Sequence, residues 1–331
     1  YIMRSTVHLR SVRPTRRRNG PPAEALPLAK RPSIIRHIGN NKLLYLMLIP
    51  GLAHLLLFRY VPAAYLATAF QDYTPYQGLF GSDWVGFKHF ERLFTSGIFG
   101  ELLRNTAVIA AINLLLFFPA PIIVAVLLNE LRNPAFKRTV QTIVYIPHFI
   151  SWPVAASITY VMLTTQGGIV NEALVALGLD KVPFLMSERT FHGVYLGQLL
   201  WKEVGYSTIV YLASIAGVSP SLYESAIVDG AGRFRRMWHI TLPSIRSTIV
   251  ILFLLRLGRF LEVGFEQVFL LRNPLNRQVS EIFDTYVYSF GVVQGQYSYT
   301  AAIGVFTSIV GLALVIGMDR VAKRFGEEGV L

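Results

Sequence analysis

Three long stretches of this chain contain no charged side chain, and this feature restricts the possible fold most. Residues 105–129, 139–171 and 285–318 run for 25, 33 and 34 residues without an Asp, Glu, Lys or Arg. A helix needs roughly 20 mostly apolar residues to cross the hydrocarbon layer of a membrane. Only 15% of all residues are charged, whereas soluble domains carry about 25%. The sequence therefore predicts an all-α membrane protein.

Three further apolar stretches are interrupted by a few charges. They are residues 43–70, with Arg59, residues 194–214, with Lys202 and Glu203, and residues 247–271, with Arg256, Arg259, Glu262 and Glu266. Together with the uncharged stretches they predict six transmembrane helices. Residues 43–70 are too long for the apolar part of a signal peptide, so we expect them to be a retained span.

The basic residues indicate the orientation of these spans. Segments 1–42, 130–138, 215–246 and 319–331 hold 20 Lys and Arg, whereas segments 71–104, 172–193 and 272–284 hold 7. Because Lys and Arg resist translocation, the richer set and both termini are predicted to be cytoplasmic. The net charge of +12 is thus explained without a nucleic-acid partner. The predicted organisation is a basic tail with an interfacial helix (1–42), a six-span domain (43–319) and a C-terminal tail (320–331).

The chain carries no recognisable catalytic motif. It contains neither a phosphate-binding G-x-x-x-x-G-K-[ST] loop nor an H-E-x-x-H or G-x-S-x-G motif, and it has no cysteine. Its seven histidines are not spaced as metal ligands. We therefore expect no metal site and no enzymatic centre, with energy supplied by a partner or by an ion gradient. A membrane-bound transferase, the other alternative, would need an acidic cluster at the membrane surface, which the sequence lacks.

The predicted cytoplasmic segment between the fourth and fifth spans, residues 219–246, has a distinctive pattern. Ser219 and Pro220 are typical of a helix start, and Gly230 and Gly232 should end that helix within about three turns. A second short helix should follow, with Phe234, Met237 and Trp238 on one side. Local physics alone leaves open whether this segment is a simple surface hairpin.

The spacing within residues 219–246 resembles the EAA loop of ABC import permeases, whose pattern is E-A-A, three residues, G, nine residues and I-x-L-P. The matching residues are Glu224, Ala226, Gly230, Ile240, Leu242 and Pro243, and Ser225 replaces the first alanine of the pattern. In that family the short helix docks on an ATPase subunit. The resemblance thus implies that residues 224–230, including Asp229, form an ATPase-coupling helix.

Other segments are similar to polysaccharide-type sugar permeases: residues 43–90, VYIPHFISWPV (144–154) and NPLNRQVSEIFDTYVY (273–288). The resemblance implies a type I ABC importer transmembrane domain in a bacterial inner membrane. It implies a second, different permease, two ATPase subunits that carry ATP and Mg²⁺, and an extracytoplasmic solute-binding protein. No cofactor is expected on this chain, and the expected solute is an oligosaccharide. An ion-coupled secondary transporter remains the alternative.

Four charged residues at spacings of three, three and four should share one broad face of the fifth span: Arg256, Arg259, Glu262 and Glu266. Ionisable side chains at membrane depth usually face the protein interior. One interpretation is a self-neutralising ladder, with Arg259 paired to Glu262 and Arg256 to Glu203. The other is that Arg256 or Arg259 binds the solute. Because guanidinium groups bind both oxygens of a carboxylate, the second interpretation favours an acidic, uronate-containing oligosaccharide.

Three other polar or aromatic residues within the predicted spans are candidates for the solute path. Trp201 and Tyr206 could stack on sugar rings, and Asn113 could bind hydroxyl groups. For each of them, a contact between helices or at the membrane interface is the alternative interpretation.

Overall fold

The computed structural model describes residues 41–258 and 260–324. The predicted tail and interfacial helix in residues 1–40, Arg259 and residues 325–331 lie outside the described part. The chain divides into two compact units, residues 1–60 and 61–331. The described part of the first unit is a helix, Lys42–Leu55, followed by a π-helical turn, Leu56–Tyr60.

The second unit is almost entirely helical. Its α-helices before the predicted cytoplasmic segment are Val61–Ala64, Gly78–Gly81, Lys88–Thr95, Ile98–Ala111, Pro119–Asn129, Pro134–Tyr145, Trp152–Leu163, Ile169–Ala176 and Glu188–Ala216. Those that follow are Pro220–Val228, Arg233–Arg236, Leu242–Ser244, Arg246–Gly258, Phe265–Leu271, Arg277–Ser280, Phe283–Val287 and Tyr297–Arg324. Turns of 3-10 helix (Tyr65–Phe70, Ile146–Phe149) and π-helix (Ile112–Phe117, Met237–Thr241, Tyr288–Val293) join several of them, and strands Gln71–Asp72 and Asp83–Trp84 pair antiparallel.

Three helical stretches of the described residues are long and apolar enough to cross a membrane: Lys42–Phe70, Ile98–Asn129 and Tyr297–Val321. Two bent pairs raise the number to five if each pair is one span. Pro134–Phe149 and Trp152–Leu163 meet at 105°, and Arg233–Ser244 and Arg246–Gly258 meet at 60°. The fold is therefore that of a helical membrane protein.

The second unit is organised around the central helix, Glu188–Ala216. Ser187 caps its start, because the Ser187 hydroxyl accepts a hydrogen bond from the Arg189 backbone amide at 3.3 Å. At 1.5 Å per residue its 29 residues extend about 43 Å. One side packs on helices Pro119–Asn129 and Pro134–Tyr145. Buried Tyr195, Leu199 and Tyr211 place this helix in two of the hydrophobic clusters that form the core.

The predicted fifth span is not one continuous helix. Helix Arg246–Gly258 ends, and a second helix starts only at Phe265. Gly264, at φ +87°, adopts the left-handed conformation that favours glycine. The prediction of one shared charged face was therefore wrong, because Arg256 precedes this break while Glu262 lies within it and Glu266 follows it.

Candidate functional site

A cavity of about 530 Å³ lies between the central helix and the broken fifth segment. Its polar lining consists of Asn113, Tyr195, Arg256, Glu262 and Gln267, and its apolar lining includes Trp152, Leu199 and Phe260. The volume falls within the range of about 300–1,000 Å³ that is usual for small-molecule sites. A few polar groups on a mainly apolar wall are also typical of such sites. This cavity is the candidate solute site.

Three side chains form the polar centre of the cavity. Arg256 donates to the side-chain oxygen of Asn113 at 3.2 Å, and the side-chain nitrogen of Asn113 donates to the Tyr195 hydroxyl at 3.0 Å. Tyr195 in turn donates to the Val263 carbonyl at 3.0 Å. Asn113 thus orients the Arg256 guanidinium. The Tyr195 hydroxyl holds Val263, which lies in the non-helical stretch after helix Arg246–Gly258.

Among the described residues, the direct contacts of the half-buried Arg256 are neutral, and the Glu203 carboxylate interacts with its charge from a greater distance. Besides Asn113, its guanidinium carbon lies 4.6 Å from the centre of the Phe117 ring. Within residues 41–258 and 260–324 no carboxylate lies within 4.0 Å of the guanidinium, whose remaining donors can take an anion. The pairing with Glu203 that the sequence suggested is replaced by the Asn113 contact. A cation without a carboxylate partner at membrane depth is costly, which is typical of functional positions.

Two glutamines continue the hydrogen-bond network behind the cavity wall. Gln267 donates to the Tyr195 carbonyl at 2.9 Å and to Gln198 at 3.0 Å, and Gln198 donates to Thr159 at 2.8 Å. Both glutamines are nearly inaccessible to solvent. This network ties helix Phe265–Leu271 to the central helix and so fixes the far wall of the cavity.

The structure brings only some of the predicted path residues together. Asn113, Arg256 and Glu262 line the cavity, whereas Trp201, Tyr206 and Glu266 do not. Trp201 is 41% exposed and Tyr206 is 49% exposed. Sequence reasoning missed Trp152, Tyr195 and Gln267, which lie in ordinary apolar or amphipathic runs. Their only sequence signal is a polar or aromatic group within a predicted span.

A charged cluster stands beside the cavity on the central helix. Lys202, only 4% exposed, donates to Glu203 at 2.9 Å and to the His148 carbonyl at 3.0 Å. The other oxygen of Glu203 lies 2.9 Å from His148 Nδ1. His148 stacks on Tyr206, with ring centres 3.8 Å apart, and the Lys202 ammonium lies 4.8 Å from the Trp152 ring centre. The cluster therefore joins the bend after Pro147 to the central helix and supports Trp152.

Residues 219–246, the coupling segment, form two short helical pieces as predicted. Helix Pro220–Val228 starts at Ser219, but the Ser219 hydroxyl contacts the Ser221 hydroxyl at 2.8 Å and not a backbone amide. The helix ends through Gly230, at φ +73°, and the Ala231 amide donates to the Ala226 carbonyl at 2.8 Å. This is the glycine-terminated helix end expected from the sequence.

The residues that match the EAA pattern differ in exposure. Glu224, Ser225, Asp229 and Pro243 are exposed, whereas Ala226, Ile240 and Leu242 are half-buried. Exposed apolar side chains surround them, including Val228 at 88% and Phe234 at 83%. Met237 packs instead on the core cluster with Tyr211 and Ile245, so the prediction that it shares one side with Phe234 and Trp238 was wrong. The coupling segment thus has an anchored side and a partly apolar exposed side.

One carboxyl group of the 272–284 segment has a shifted pKa. Burial raises the pKa of Asp284 to about 6, and the nearby Glu262 carboxylate adds to the shift. Both causes disfavour the charged form.

Comparison with known proteins covers most of the chain. Residues 117–327 match the family model described as "Binding-protein-dependent transport system inner membrane component". The polygalacturonan/rhamnogalacturonan transport system permease protein YteP of Bacillus subtilis (strain 168) is 54% identical, over 91% of this chain and 94% of that protein.

Two solved structures share the fold. A bacterial alginate ABC transporter in complex with alginate pentasaccharide-bound periplasmic protein matches with a TM-score of 0.84 and 38% identity, over 90% of this chain and 99% of that chain. A bacterial ABC transporter involved in the import of the acidic polysaccharide alginate matches with a TM-score of 0.82 and 39% identity, over 88% of this chain and 98% of that chain. The resemblance drawn from the coupling segment and the sugar-permease stretches is thereby confirmed, and the ion-coupled alternative finds no support. The chain belongs to the family of binding-protein-dependent transport system inner membrane components, and it is a permease subunit of an ABC transporter and not an enzyme.

Proposed function

We propose that this permease forms half of an import path for an acidic oligosaccharide and works by alternating access. The observation that carries the proposal is Arg256, a half-buried cation with neutral partners in a cavity of about 530 Å³. The named solutes of its relatives, polygalacturonan and alginate, are polymers of carboxylated sugars, which supports the same chemistry here.

The proposed assembly follows the sequence-based prediction. Six spans run through a bacterial inner membrane with both termini inside, and the central helix Glu188–Ala216 is the fourth span. Lys202 and Glu203, near the middle of this helix, pair with each other, and Glu203 also pairs with His148, which lowers the cost of placing these charges in lipid. A second, different permease completes the path. Two ATPase subunits hold ATP and Mg²⁺, and an extracytoplasmic binding protein delivers the solute.

Arg256 suits a carboxylate because its planar fork can bind both oxygens once the solute enters. A hydrogen bond to a charged group is worth about 1.5–3 kcal/mol, which corresponds to roughly tenfold or more in affinity. Trp152 supplies an apolar ring for a sugar face, and Asn113 supplies a side-chain amide. The cavity therefore offers the Arg256 guanidinium for a carboxylate and neutral groups for the rest of the sugar, and Glu262 is the second charged residue of its lining.

The test compares Arg256→Gln and Arg256→Lys in proteoliposomes that contain the complete transporter. The probes are a galacturonate trisaccharide and the same trisaccharide with its carboxylates reduced to alcohols. We expect Arg256→Gln to raise KM for the acidic probe about tenfold, with Arg256→Lys intermediate and the neutral probe unaffected. Basal ATP hydrolysis reports on intact assembly. An unchanged preference for the acidic probe would remove the proposal.

The second part of the proposal concerns energy input. Residues 224–230 dock on an ATPase subunit. Movement of that subunit is transmitted to the membrane helices by the side of the coupling segment that packs on the core. The chain has no cysteine, so single cysteines can be introduced at Ala226 and Asp229 without background. We expect both to crosslink to the ATPase subunit. A cysteine at Tyr76, which is fully exposed in the predicted outer segment 71–104, is the matched control and should not. Transport that continues without any crosslink from either site would contradict the docking.

A further inference from the structure

A second cavity, of about 430 Å³, lies between the predicted outer segment 272–284 and the first residues of the predicted last span. Its lining includes Arg272, Arg277, Glu281, Ser289, Phe290 and Gln294. Helix Phe265–Leu271 connects it to the first cavity, because Gln267 lines the first and Arg272 immediately follows the last residue of that helix. Five residues of helix correspond to about 7.5 Å of rise. We call this second cavity the outer subsite.

The charges that line the outer subsite do not cancel. Glu281, 2% exposed, accepts hydrogen bonds from Arg272, from Arg277 at 2.9 Å and from the Thr285 hydroxyl at 2.8 Å. One carboxylate therefore faces two guanidinium groups, and one positive charge remains. A buried carboxylate between two arginines holds both in place, and the surplus charge is available to an anion.

Arg277 is the guanidinium that has free donors. Its Nε binds Glu281, and its two terminal nitrogens have no partner among residues 41–258 and 260–324. The Arg277 side chain is 55% exposed, whereas that of Arg272 is 19% exposed. Arg277 can thus reach an incoming anion while Arg272 stays with Glu281.

The turn that carries these arginines is rigid. Asn273 and Asn276 both donate to the Leu185 carbonyl, at 2.7 and 3.3 Å, and Asn276 also donates to the Leu271 carbonyl at 3.1 Å. The side-chain oxygen of Asn276 accepts hydrogen bonds from the backbone amide of Asn273 at 2.9 Å and from the Ser280 hydroxyl at 2.9 Å. A site held in this way loses little conformational entropy when a ligand binds.

The rest of the lining is of the kind that binds sugars. Phe290 presents a ring that is itself stacked on Tyr286 at 4.1 Å between centres. Ser289 and Gln294 add a hydroxyl and an amide. An apolar ring, neutral polar groups and one uncompensated guanidinium match a carboxylated pyranose better than a free inorganic anion.

We propose that the outer subsite binds one carboxylated sugar unit of the incoming oligosaccharide, through Arg277, before the chain reaches Arg256. This inference rests on the proposed function and extends it by naming a second carboxylate contact. The ligand is the solute itself and not an acidic side chain of the binding protein, because the site is concave and its volume suits a small molecule.

The test uses Arg277→Gln in the complete transporter, with the acidic trisaccharide and its carboxyl-reduced form as probes. Arg272 remains on Glu281 in this variant, so no buried carboxylate is left unpaired. We expect KM for the acidic probe to rise about two- to fivefold, less than a fully buried contact would give because Arg277 is half exposed. The maximal rate and transport of the reduced probe should not change. Arg104→Gln is the matched control, because Arg104 donates to the neighbouring Gln278 carbonyl at 2.9 Å but does not line the cavity.

The outcomes separate this proposal from the one on which it rests. If the wild type transports both probes equally, the acidic-solute function fails and the outer subsite fails with it. If the wild type prefers the acidic probe and Arg277→Gln keeps the wild-type KM, only the outer subsite is refuted. The affinity of ligand-free binding protein for the complex is measured in parallel. A loss of that affinity in Arg277→Gln, with KM unchanged once the binding protein is saturating, would assign Arg277 to protein docking and overturn the proposal.

Discussion

A close approach between two helices allows a specific prediction at Gly205. This buried glycine of the central helix faces the backbone of Val144 in helix Pro134–Tyr145. A Cβ added at Gly205 would lie 2.6 Å from the Val144 carbonyl carbon and 2.9 Å from its Cγ1, and closer still to the carbonyl oxygen. Membrane helices commonly use small residues where backbones approach. The substitution Gly205→Ala therefore cannot be accommodated by a side-chain rotation, and one helix must move.

The change in the free energy of unfolding is the sum of two opposing effects. Overpacking a well-packed interior costs about 1–3 kcal/mol, while replacing a helical glycine by alanine gains about 0.5–1 kcal/mol. We therefore expect Gly205→Ala to lower the free energy of unfolding by about 1–2 kcal/mol. Gly197 lies on the same helix with no atom within 4 Å of an added Cβ, so Gly197→Ala should be neutral or slightly stabilising.

The assay is the melting temperature of the purified transporter, measured by size-exclusion chromatography of samples that have been heated. Thiol-reactive dyes would not report on this chain because it has no cysteine. We expect a fall in Tm for Gly205→Ala, together with reduced solute-stimulated ATP hydrolysis, and wild-type behaviour for Gly197→Ala. Equal Tm values for Gly205→Ala and Gly197→Ala would refute the reasoning, because the two differ only in the helix approach.

Three further predictions follow from single residues. Gly230→Ala should weaken coupling of ATP hydrolysis to transport, because its φ of +73° costs alanine about 1–2 kcal/mol, whereas Gly232→Ala should be tolerated in the same assay. Tyr195→Phe removes the hydroxyl that accepts from Asn113, so it should lower Tm by the equivalent of about 1 kcal/mol. It should also weaken solute binding, and an unchanged KM would argue against a role of this hydroxyl in the solute site. Burial raises the pKa of Asp284 to about 6, so its ionisation opposes folding and stability is lost as pH rises from about 4 to about 6. Asp284→Asn should therefore raise Tm more at pH 7.5 than at pH 5, and an equal effect at both would contradict the assignment.

Local sequence properties are enough to predict that the protein is a helical membrane protein. Uncharged stretches such as 105–129 favour a membrane span whichever helices pack against them, because about 20 mostly apolar residues are enough to cross the hydrocarbon layer. The coupling segment was also predictable. Pro220 starts its helix and Gly230 ends it, and both effects arise from the backbone of single residues.

The arrangement of the cavities depended on tertiary structure. Residue spacing placed Arg256 and Glu262 on one helix face, but Gly264 adopts a left-handed conformation and the helix stops before it. Glycine allows such a break without requiring it, so packing against Tyr195 and Gln267 decides the outcome. The sequence by itself determined a helical permease with polar groups in its spans. Only the folded structure decided which groups meet, because Arg256 with Asn113, and Arg272 with Glu281, are separated in the sequence and are brought together by helix ends and turns that other contacts hold in place.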